Sequence, residues 1–477
     1  IKSMNINNVE HNEFFASTRQ LKKIYRLLAG ASKKNIEKKL NKKTNFLIIK
    51  KKFPSIKFVF FFLKVILLGK VFSSKEYILL KYRKCKIGRY AYPEVAKNIE
   101  TFYNPFKSII LRVKCLFLAG AIVDTAYFLS KKICGAYVDH GVYLNGLYIE
   151  VFLKNNIRIY SNNYPKGLFT AKVSGKLKEN FTYDDLLTIH GRKISNKQKK
   201  IAQKVIDKTL TDSRFIPWMQ IVKYKKPEKK INYNDYQYIV YASAFTDAQL
   251  AFGYDGYANM KDWLIDTIKT LRKFNKKVLV KPHPNFYDYL LLNLNKKNKK
   301  NNISFQDHTM YQMIKNRYEN ENICFLDQPY SNVKFMSQLD KKKHIIVTRH
   351  SSAILEISYQ GFKIISSKST LWSEKVKLTN AWKDKNEYEK ILNKDFKKLF
   401  YAHRDDVLRV FNEIYFNESS PYGKKNFIKL LKKILGVKQF SRFDTSYETL
   451  EKMMKKSETK TLKTINAISQ NIEEIRL

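Results

Sequence analysis

Two prolines after an apolar run constrain the fold of this chain more than any other feature. The run is Val278–Lys281, and Pro282, His283 and Pro284 follow it at once. Proline has a fixed φ angle and no backbone N–H, so a strand cannot continue through this triplet. His283 is therefore placed at the carboxyl end of a strand, where open α/β sheets bind their ligands.

A second segment has the order strand, turn, helix, strand. The pattern predicts the strand 344–348, the turn Arg349-His350-Ser351-Ser352, the helix 353–360 and the strand 362–367. Backbone N–H groups and serine hydroxyls at such a helix start favour a phosphate group. Glu356 lies one turn beyond Ser352 on the same helix face, where a carboxylate can accept hydrogen bonds from ribose hydroxyls.

In this order, the two motifs resemble the HP and Ser-Ser motifs of bacterial GT-B glycosyltransferases that use cytidine nucleotides. The family is the capsule polysaccharide biosynthesis family with its Kdo transferases. Bacterial sialyltransferases and teichoic-acid glycerophosphotransferases are more distantly similar. The resemblance extends upstream through 238–271 and, more weakly, to 136–160. It implies an α/β fold in which two Rossmann-like domains face a cleft.

The motifs and the resemblance together define a donor-site set. These candidates for nucleotide-sugar binding are Lys281, His283, Pro284, Arg349, His350, Ser351, Ser352 and Glu356. Transfer of a sugar from a nucleotide needs stabilisation of the departing phosphate, which hydrogen-bond donors and cations of this kind supply.

The transfer also needs a base near the acceptor hydroxyl, and the sequence leaves four candidates open. Asp139 and His140 end a predicted strand of the first domain, and the resemblance points to that neighbourhood for the acceptor side. Asp247 and Asp255 lie in the loop after the strand 236–242. The triplet around Asp255 resembles the acidic-Gly motif of the sialyltransferases but has one Asp instead of two, so the base role is not transferred to it.

No metal or cofactor is expected. The adjacent carboxylates Asp184 and Asp185 point in different directions on a predicted helix, which favours a solvated surface over a metal site. The four cysteines have no CxxC spacing, and neither GxGxxG nor GxxxxGK[ST] is present. The nucleotide-sugar donor, expected to be cytidine-based, is then a substrate.

A chain of 477 residues is too long for one core. The predicted parts are an N-terminal helical and basic region (1–105), an acceptor-side Rossmann-like domain (106–222), a nucleotide-sugar-binding Rossmann-like domain (236–415) and C-terminal basic helices (416–477), with a charged linker at 222–235. The first Rossmann-like domain is expected to begin with a buried strand within 107–123. The segment 294–308 is expected to be a polar insert of the second.

The formal charge is +49, mostly from lysines spread over the chain. Because the lysines are scattered, a compositional bias with a solvated surface is the favoured interpretation. The alternative is an anionic partner, either nucleic acid or acidic lipid, and of these the inner-membrane surface is preferred. The segment 53–72 is the most apolar, but Lys57, Lys64 and Lys70 interrupt it, so it predicts a buried element or an interfacial helix. The segment 423–437 predicts a basic amphipathic helix. No cleavable signal is expected at the start, and we expect a cytoplasmic protein peripheral to the inner membrane.

These features favour a metal-independent GT-B glycosyltransferase. It would move a sugar, Kdo or another CMP-linked acidic sugar, from a nucleotide donor to a capsule or other surface glycan or glycolipid acceptor. Two alternatives stay open: a polyol-phosphate transferase of the teichoic-acid type, and a non-catalytic basic protein that binds nucleic acid or membrane.

Overall fold

The computed structural model describes most of the central part of the chain. The described residues are 14–16, 54–163 except 134, 140 and 142, 167–171, 191–211 except 192, 231–283 except 248, 251 and 252, 303–327, 332–368 except 352, and 376–415. They fall into two compact units, one within 1–91, 113–187 and 414–477 and the other within 92–112 and 188–413.

The amino-terminal elements end in a small mixed sheet. In chain order they are β1 (Phe14–Ala16), α1 (Ile56–Leu67), α2 (Ser74–Ile78), α3 (Ile87–Ala96), a 3-10 turn (Ile99–Phe102), α4 (Pro105–Ser130), β2 (Gly135–Asp139), α5 (Asn145–Lys154), β3 (Arg158–Asn163) and β4 (Gly167–Ala171). The strands β1, β2 and β3 are parallel, and β4 runs antiparallel to β3. The predicted elements at 136–161 thus form as strand, helix and strand.

The buried strand expected within 107–123 is wrong, because these residues belong to the single 26-residue helix α4. A short apolar run does not distinguish a buried strand from a buried helix. Close helix packing decides the matter here, since a Cβ atom at Gly120 would lie 2.1 Å from the ring of Phe58 on α1. No described helix is long and apolar enough to cross a membrane.

The second unit contains the larger sheet. Its elements are α6 (Asn196–Thr211), a 3-10 turn (Tyr233–Asp235), β5 (Tyr238–Tyr241), α7 (Met260–Lys273), β6 (Val278–Lys281), α8 (Ile303–Tyr318), β7 (Ile323–Phe325), α9 (Asn332–Met336), β8 (Ile345–Thr348), α10 (Ile354–Tyr359), β9 (Lys363–Ser367), β10 (Asn380–Trp382), α11 (Lys385–Leu392), a 3-10 turn (Phe396–Lys398) and α12 (Arg404–Tyr415). The predicted strands around both motifs are confirmed.

The six strands are parallel and ordered β10-β9-β8-β5-β6-β7. If β5 is numbered as the first strand and the sheet is read from β7 to β10, the strand order is 3-2-1-4-5-6, which is that of a Rossmann fold. The α/β class is confirmed. The strand order reverses between β5 and β8, and such a switch point is where open α/β sheets bind ligands.

Burial on both faces explains why these segments form central strands. Every residue of β5, β6 and β8 is buried, and all three are rich in Val, Ile and aromatic residues, as strands covered on two sides must be. One face packs on α7, whose buried side presents Trp263, Leu264, Ile268 and Leu271 to Val240, Val280 and Val347. Asn259 caps this helix by accepting a hydrogen bond from the backbone N–H of Asp262 at 2.8 Å.

Strand register aligns the carboxyl ends of the three central strands. Tyr241, the last residue of β5, is level with Lys281 on β6 and with Thr348 on β8. The loops that follow these strands therefore leave the sheet side by side at the switch point. Both sequence motifs lie on these loops.

The polar insert expected at 294–308 is shorter than predicted, because α8 already begins at Ile303. Residues 294–302 lie outside the described part of the chain. The helix turns Asp307 into the interior, where the residue is fully buried.

Candidate functional site

Lys281 is the last residue of the central strand β6 and is buried at the carboxyl-terminal end of the sheet. Its Nζ atom lies 4.9 Å from the ring centroid of Tyr241 and 5.7 Å from that of Phe335. These distances allow cation–π attraction, which partly replaces the lost hydration of the ammonium group. Burial lowers the pKa of Lys281 to about 8, although the nearby Glu356 carboxylate opposes the change. A small change in surroundings therefore switches its charge near neutral pH.

Glu356 on α10 is held by a short chain of hydrogen bonds. Tyr241 donates its hydroxyl to Oδ1 of Asn332 at 2.8 Å, and Nδ2 of Asn332 donates to Oε2 of Glu356 at 3.0 Å. Burial raises the pKa of Glu356 to about 7, against the effects of the Asn332 hydrogen bond and the charge of Lys281. Two oppositely charged groups with pKa values shifted toward neutrality are typical of a binding or catalytic site.

His283 follows Lys281 by two residues and is only partly exposed. Burial and the charge of Lys281 lower the pKa of His283 to about 4, while Asp247 acts in the opposite direction. The imidazole is therefore neutral at neutral pH. A neutral imidazole still donates one N–H, so His283 can donate a hydrogen bond to a phosphate oxygen without carrying a charge.

Arg349 and Asp255 form a fully buried ion pair. Nε and Nη2 of Arg349 donate to Oδ2 and Oδ1 of Asp255 at 2.9 and 2.7 Å, and Nη2 also donates to the backbone oxygen of Tyr257 at 2.7 Å. Burial alone would raise the pKa of Asp255, but the charge and hydrogen bonds of Arg349 lower it to about 2. In this arrangement both side chains hold loops together and neither faces solvent.

The remaining donor-site candidates lie around the turn after β8. The backbone oxygen of His350 accepts a hydrogen bond from Oγ of Ser243 at 3.1 Å. Burial and the charge of Arg349 lower the pKa of His350 to about 3, so its ring is neutral. Oγ of Ser351 accepts from the backbone N–H of Ala353 at 3.2 Å, just before α10 begins. This turn is therefore fixed against the loop that follows β5.

Four candidates have side chains outside the described residues. Pro284, Ser352 and His140 lie outside the described residues, as does the side chain of Asp139, the last residue of β2. Their roles stay predictions. Asp247 is described and close enough to His283 to affect its pKa.

Asp307 and Gln249 hold the loop after β5, and the sequence analysis missed both. Oδ1 of Asp307 accepts from the backbone N–H groups of Phe245 and Thr246 at 2.8 and 2.9 Å and from the Thr246 hydroxyl at 3.0 Å. Among the described residues, Oδ2 of Asp307 has no hydrogen-bond partner. Nε2 of Gln249 donates to the backbone oxygens of Phe245 and Asp247 at 2.7 and 2.9 Å, and its Oε1 accepts from the N–H of Met260 at 2.6 Å.

A helical pattern is the signal that could have revealed Asp307. Met310, Tyr311 and Ile314 follow it at the spacing of one helix face, and all three are buried. Burial raises the pKa of Asp307 to about 7, hydrogen bonds from the loop oppose this, and the charge of Asp247 adds to it. The loop therefore depends on a carboxyl group that titrates near neutral pH. Within the described part of the chain, no group of three or more His, Cys, Asp or Glu residues could hold a metal ion.

Comparison with known proteins gives distant structural matches. No protein-family model and no curated protein matches this sequence. Among solved structures, the chain is similar to the KpsC β-Kdo 2,4 transferase of Thermosulfurimonas dismutans, at 9% identity over 59% of this chain and 79% of that one, with a TM-score of 0.34. It is also similar to the UDP-GlcNAc 2-epimerase of Methanocaldococcus jannaschii, at 12% identity over 85% and 99% of the two chains, with a TM-score of 0.25. Similarity at this level supports no inference about activity.

The buried ion pair predicts a large loss of stability when one partner is neutralised. Asp255→Asn leaves the Arg349 charge buried without a counter-charge, which costs about 3–5 kcal/mol. Urea unfolding of the full chain measures this cost. The matched control is Glu389→Gln, which removes the exposed ion pair between Lys273 and Glu389 and should cost less than about 1 kcal/mol. Equal losses in the two variants would contradict a structural role for the buried pair.

The raised pKa of Asp307 predicts a pH-dependent stability. The native state holds this proton more tightly than the unfolded chain, so the contribution is fully present below the ordinary pKa of 3.8 and is lost as the pH rises through about 7. Glu356, also raised to about 7, acts in the same direction. The lowered pKa values of His283 and His350 act in the opposite direction, so the test compares each variant with wild type. The melting temperature of wild type should fall relative to that of Asp307→Asn as the pH rises across this range, and adding Glu356→Gln should enlarge the difference. Parallel profiles for wild type and Asp307→Asn would show that the carboxyl does not titrate there.

Proposed function

We propose that the protein is a glycosyltransferase that binds the nucleotide part of its sugar donor at the switch point of the second unit. The observation that carries the proposal is the convergence of three strand ends there. Lys281 ends β6, His283 lies on the loop that follows it, and Glu356 lies on α10 close to Lys281. The motif resemblance leads to the same residues from the sequence alone.

Phosphate binding is the chemistry that Lys281 and His283 suit best. A nucleotide phosphate near Lys281 would raise the lowered pKa of its ammonium group, so that binding itself keeps the lysine charged. His283 adds a directed hydrogen bond that does not depend on its protonation to imidazolium. Negative charge grows on the departing phosphate during glycosyl transfer, and donors fixed before the reaction stabilise that charge at little reorganisation cost.

Glu356 is proposed to bind the ribose. Its carboxylate is held in place through Asn332 and Tyr241, and a fixed carboxylate can accept hydrogen bonds from adjacent sugar hydroxyls. The base that accepts the proton of the acceptor hydroxyl is not assigned. Of the four candidates, Asp255 is tied to Arg349, which leaves Asp247 in the second unit and Asp139 and His140 in the first.

The proposed donor is a cytidine-linked acidic sugar, and the proposed acceptor is a capsule or other surface glycan. Both follow from the motif resemblance. A polyol-phosphate transferase would use the same phosphate-binding groups with a CDP-linked polyol. Product analysis with each donor class distinguishes these two reactions.

We expect cytidine nucleotides to stabilise the protein without a divalent metal. A panel of CMP, CDP, UDP and GDP in a thermal-shift assay measures this, because a ligand that binds only the folded state raises its melting temperature. The cytidine nucleotides should give the largest shifts, and EDTA should leave them unchanged. Loss of the shift in EDTA with recovery in manganese would contradict metal-independent binding. Absence of any nucleotide shift, together with salt-sensitive DNA binding, would favour the non-catalytic alternative.

Replacing His283 should weaken nucleotide binding while preserving the fold. A hydrogen bond to a charged phosphate contributes about 1.5–3 kcal/mol, so His283→Ala should lower affinity by roughly one to two powers of ten in calorimetric titration. His283→Asn keeps a neutral donor and should retain part of the affinity.

The matched control is His403→Ala, since His403 is exposed. The ratio of wild-type to His283→Asn affinity should show no titration step near the ordinary histidine pKa, because the pKa of His283 is lowered to about 4, while Glu356 and Lys281 titrate in both proteins. Unchanged affinity in His283→Ala would mean that the imidazole does not contact the nucleotide.

A further inference from the structure

Helix α1 exposes a continuous apolar face. The face consists of Ile56, Val59, Phe60, Leu63 and Leu67, whose exposed fractions are 75%, 41%, 69%, 49% and 85%. Their spacing of three or four residues places them on one side of the helix. Leu68 and Phe72 continue the exposed apolar surface beyond the carboxyl end of the helix, at 56% and 63% exposure. A contiguous apolar surface of this kind marks an interaction site.

The opposite side of α1 is anchored, so the apolar face cannot turn inward. Phe58 is fully buried, packs edge-on against Tyr82 at 5.0 Å between ring centroids, and fits over Gly120 of α4. At the helix start, the backbone N–H and the hydroxyl of Ser55 donate to Oδ2 of Asp124 at 2.8 and 2.7 Å. These contacts fix the rotation of α1 about its axis.

The charged residues of α1 are lysines, and the first acidic residue after the helix is the exposed Glu76. Lys57 and Lys64 lie on α1, Lys70 and Lys75 follow it, and the segment 54–75 contains no acidic residue. Lys57 and Lys64 occupy the same side of the helix, between the apolar face and the buried side, because residues seven apart nearly coincide around a helix axis. An apolar stripe bordered by lysines is complementary to an anionic lipid surface.

We propose that α1 binds the protein to a membrane surface that contains anionic lipid, with its apolar face in the headgroup region and its lysines near the lipid phosphates. At 12 residues the helix is about 18 Å long, much shorter than the roughly 30 Å hydrocarbon core, so it lies along the surface. A second copy of this chain fits less well, because its own segment 54–75 offers these lysines no acidic partner. The proposal is independent of the nucleotide site.

Vesicle flotation of the full chain tests the proposal. Wild type should bind vesicles of phosphatidylcholine mixed with phosphatidylglycerol, and should bind pure phosphatidylcholine vesicles far less. Replacing Phe60 and Leu63 together by Asp should lower binding at least about tenfold, because two buried apolar contacts are exchanged for charges that the lipid repels. The control variant replaces Met313 and Tyr401, two exposed apolar residues of the second unit, by Asp. It should bind vesicles as wild type does.

A second pair of variants tests the electrostatic part. Each lysine near anionic lipid contributes about fivefold to binding, so Lys57→Gln with Lys64→Gln should lower it about 25-fold. The control variant changes the exposed Lys341 and Lys342 to Gln. It has the same net charge as the test variant and should bind nearly as wild type. Equal losses in these two variants would show that only the overall charge matters and would overturn the assignment to α1.

Depth of contact provides an independent measurement. Phe60→Trp should gain fluorescence that brominated phosphatidylcholine in the mixed vesicles quenches, and Met313→Trp should not. Wild-type binding by the Phe60 and Leu63 aspartate variant would overturn the proposal. So would a wild-type dimer that this variant dissociates, since the face would then be occupied by a second copy. Unfolding midpoints equal to wild type confirm that the variants are folded.

Discussion

The ion pair between Arg349 and Asp255 is the constraint on which the loops at the carboxyl ends of the central strands depend. Arg349 leaves β8 at the switch point, and Asp255 lies far along the loop that leaves β5. Two charges with no access to water must remain paired, because separating them would leave each uncompensated in a medium of low polarity. The pair therefore fixes where both loops run. The hydrogen bond from Ser243 to the backbone of His350 follows from that placement.

The carboxyl ends of the central strands carry charged side chains on both faces of the sheet, and the two faces differ in how these charges are balanced. Side chains alternate along a strand, so Lys281 points away from the face that packs on α7, whereas Arg349 continues the side on which Val347 lies. Arg349 reaches its carboxylate with two direct hydrogen bonds, and the pKa of Asp255 is lowered to about 2. The Glu356 carboxylate is bound by Asn332 instead, and its pKa is raised to about 7. Direct pairing with Arg349 keeps the Asp255 carboxyl charged, whereas burial raises the pKa of Glu356 toward neutrality.

The sequence predicts the strands of the second unit well, because runs such as VLVK and IIVT combine β-branched residues with sharp breaks. It also places His283 and Ser351 at strand ends, since a proline or a serine turn limits the local backbone. It does not predict that Arg349 pairs with Asp255, because the two lie 94 residues apart and meet only through the strand order. The prediction of a strand within 107–123 was wrong for a related reason. The contacts of that helix with α1, such as Gly120 with Phe58 and Asp124 with Ser55, also join residues far apart in the sequence.

The loop after β5 has a kinetic consequence for any ligand that binds beside it. Phe245, Thr246 and Asp247 are already held by Asp307 and Gln249, so their backbone entropy is lost when the chain folds and not when a ligand arrives. More of the contact energy then remains available for affinity. Association should accordingly proceed in a single phase whose rate grows in proportion to ligand concentration, without the plateau that a slow loop closure imposes. Differences in affinity among ligands would then arise mainly from how long each one stays bound.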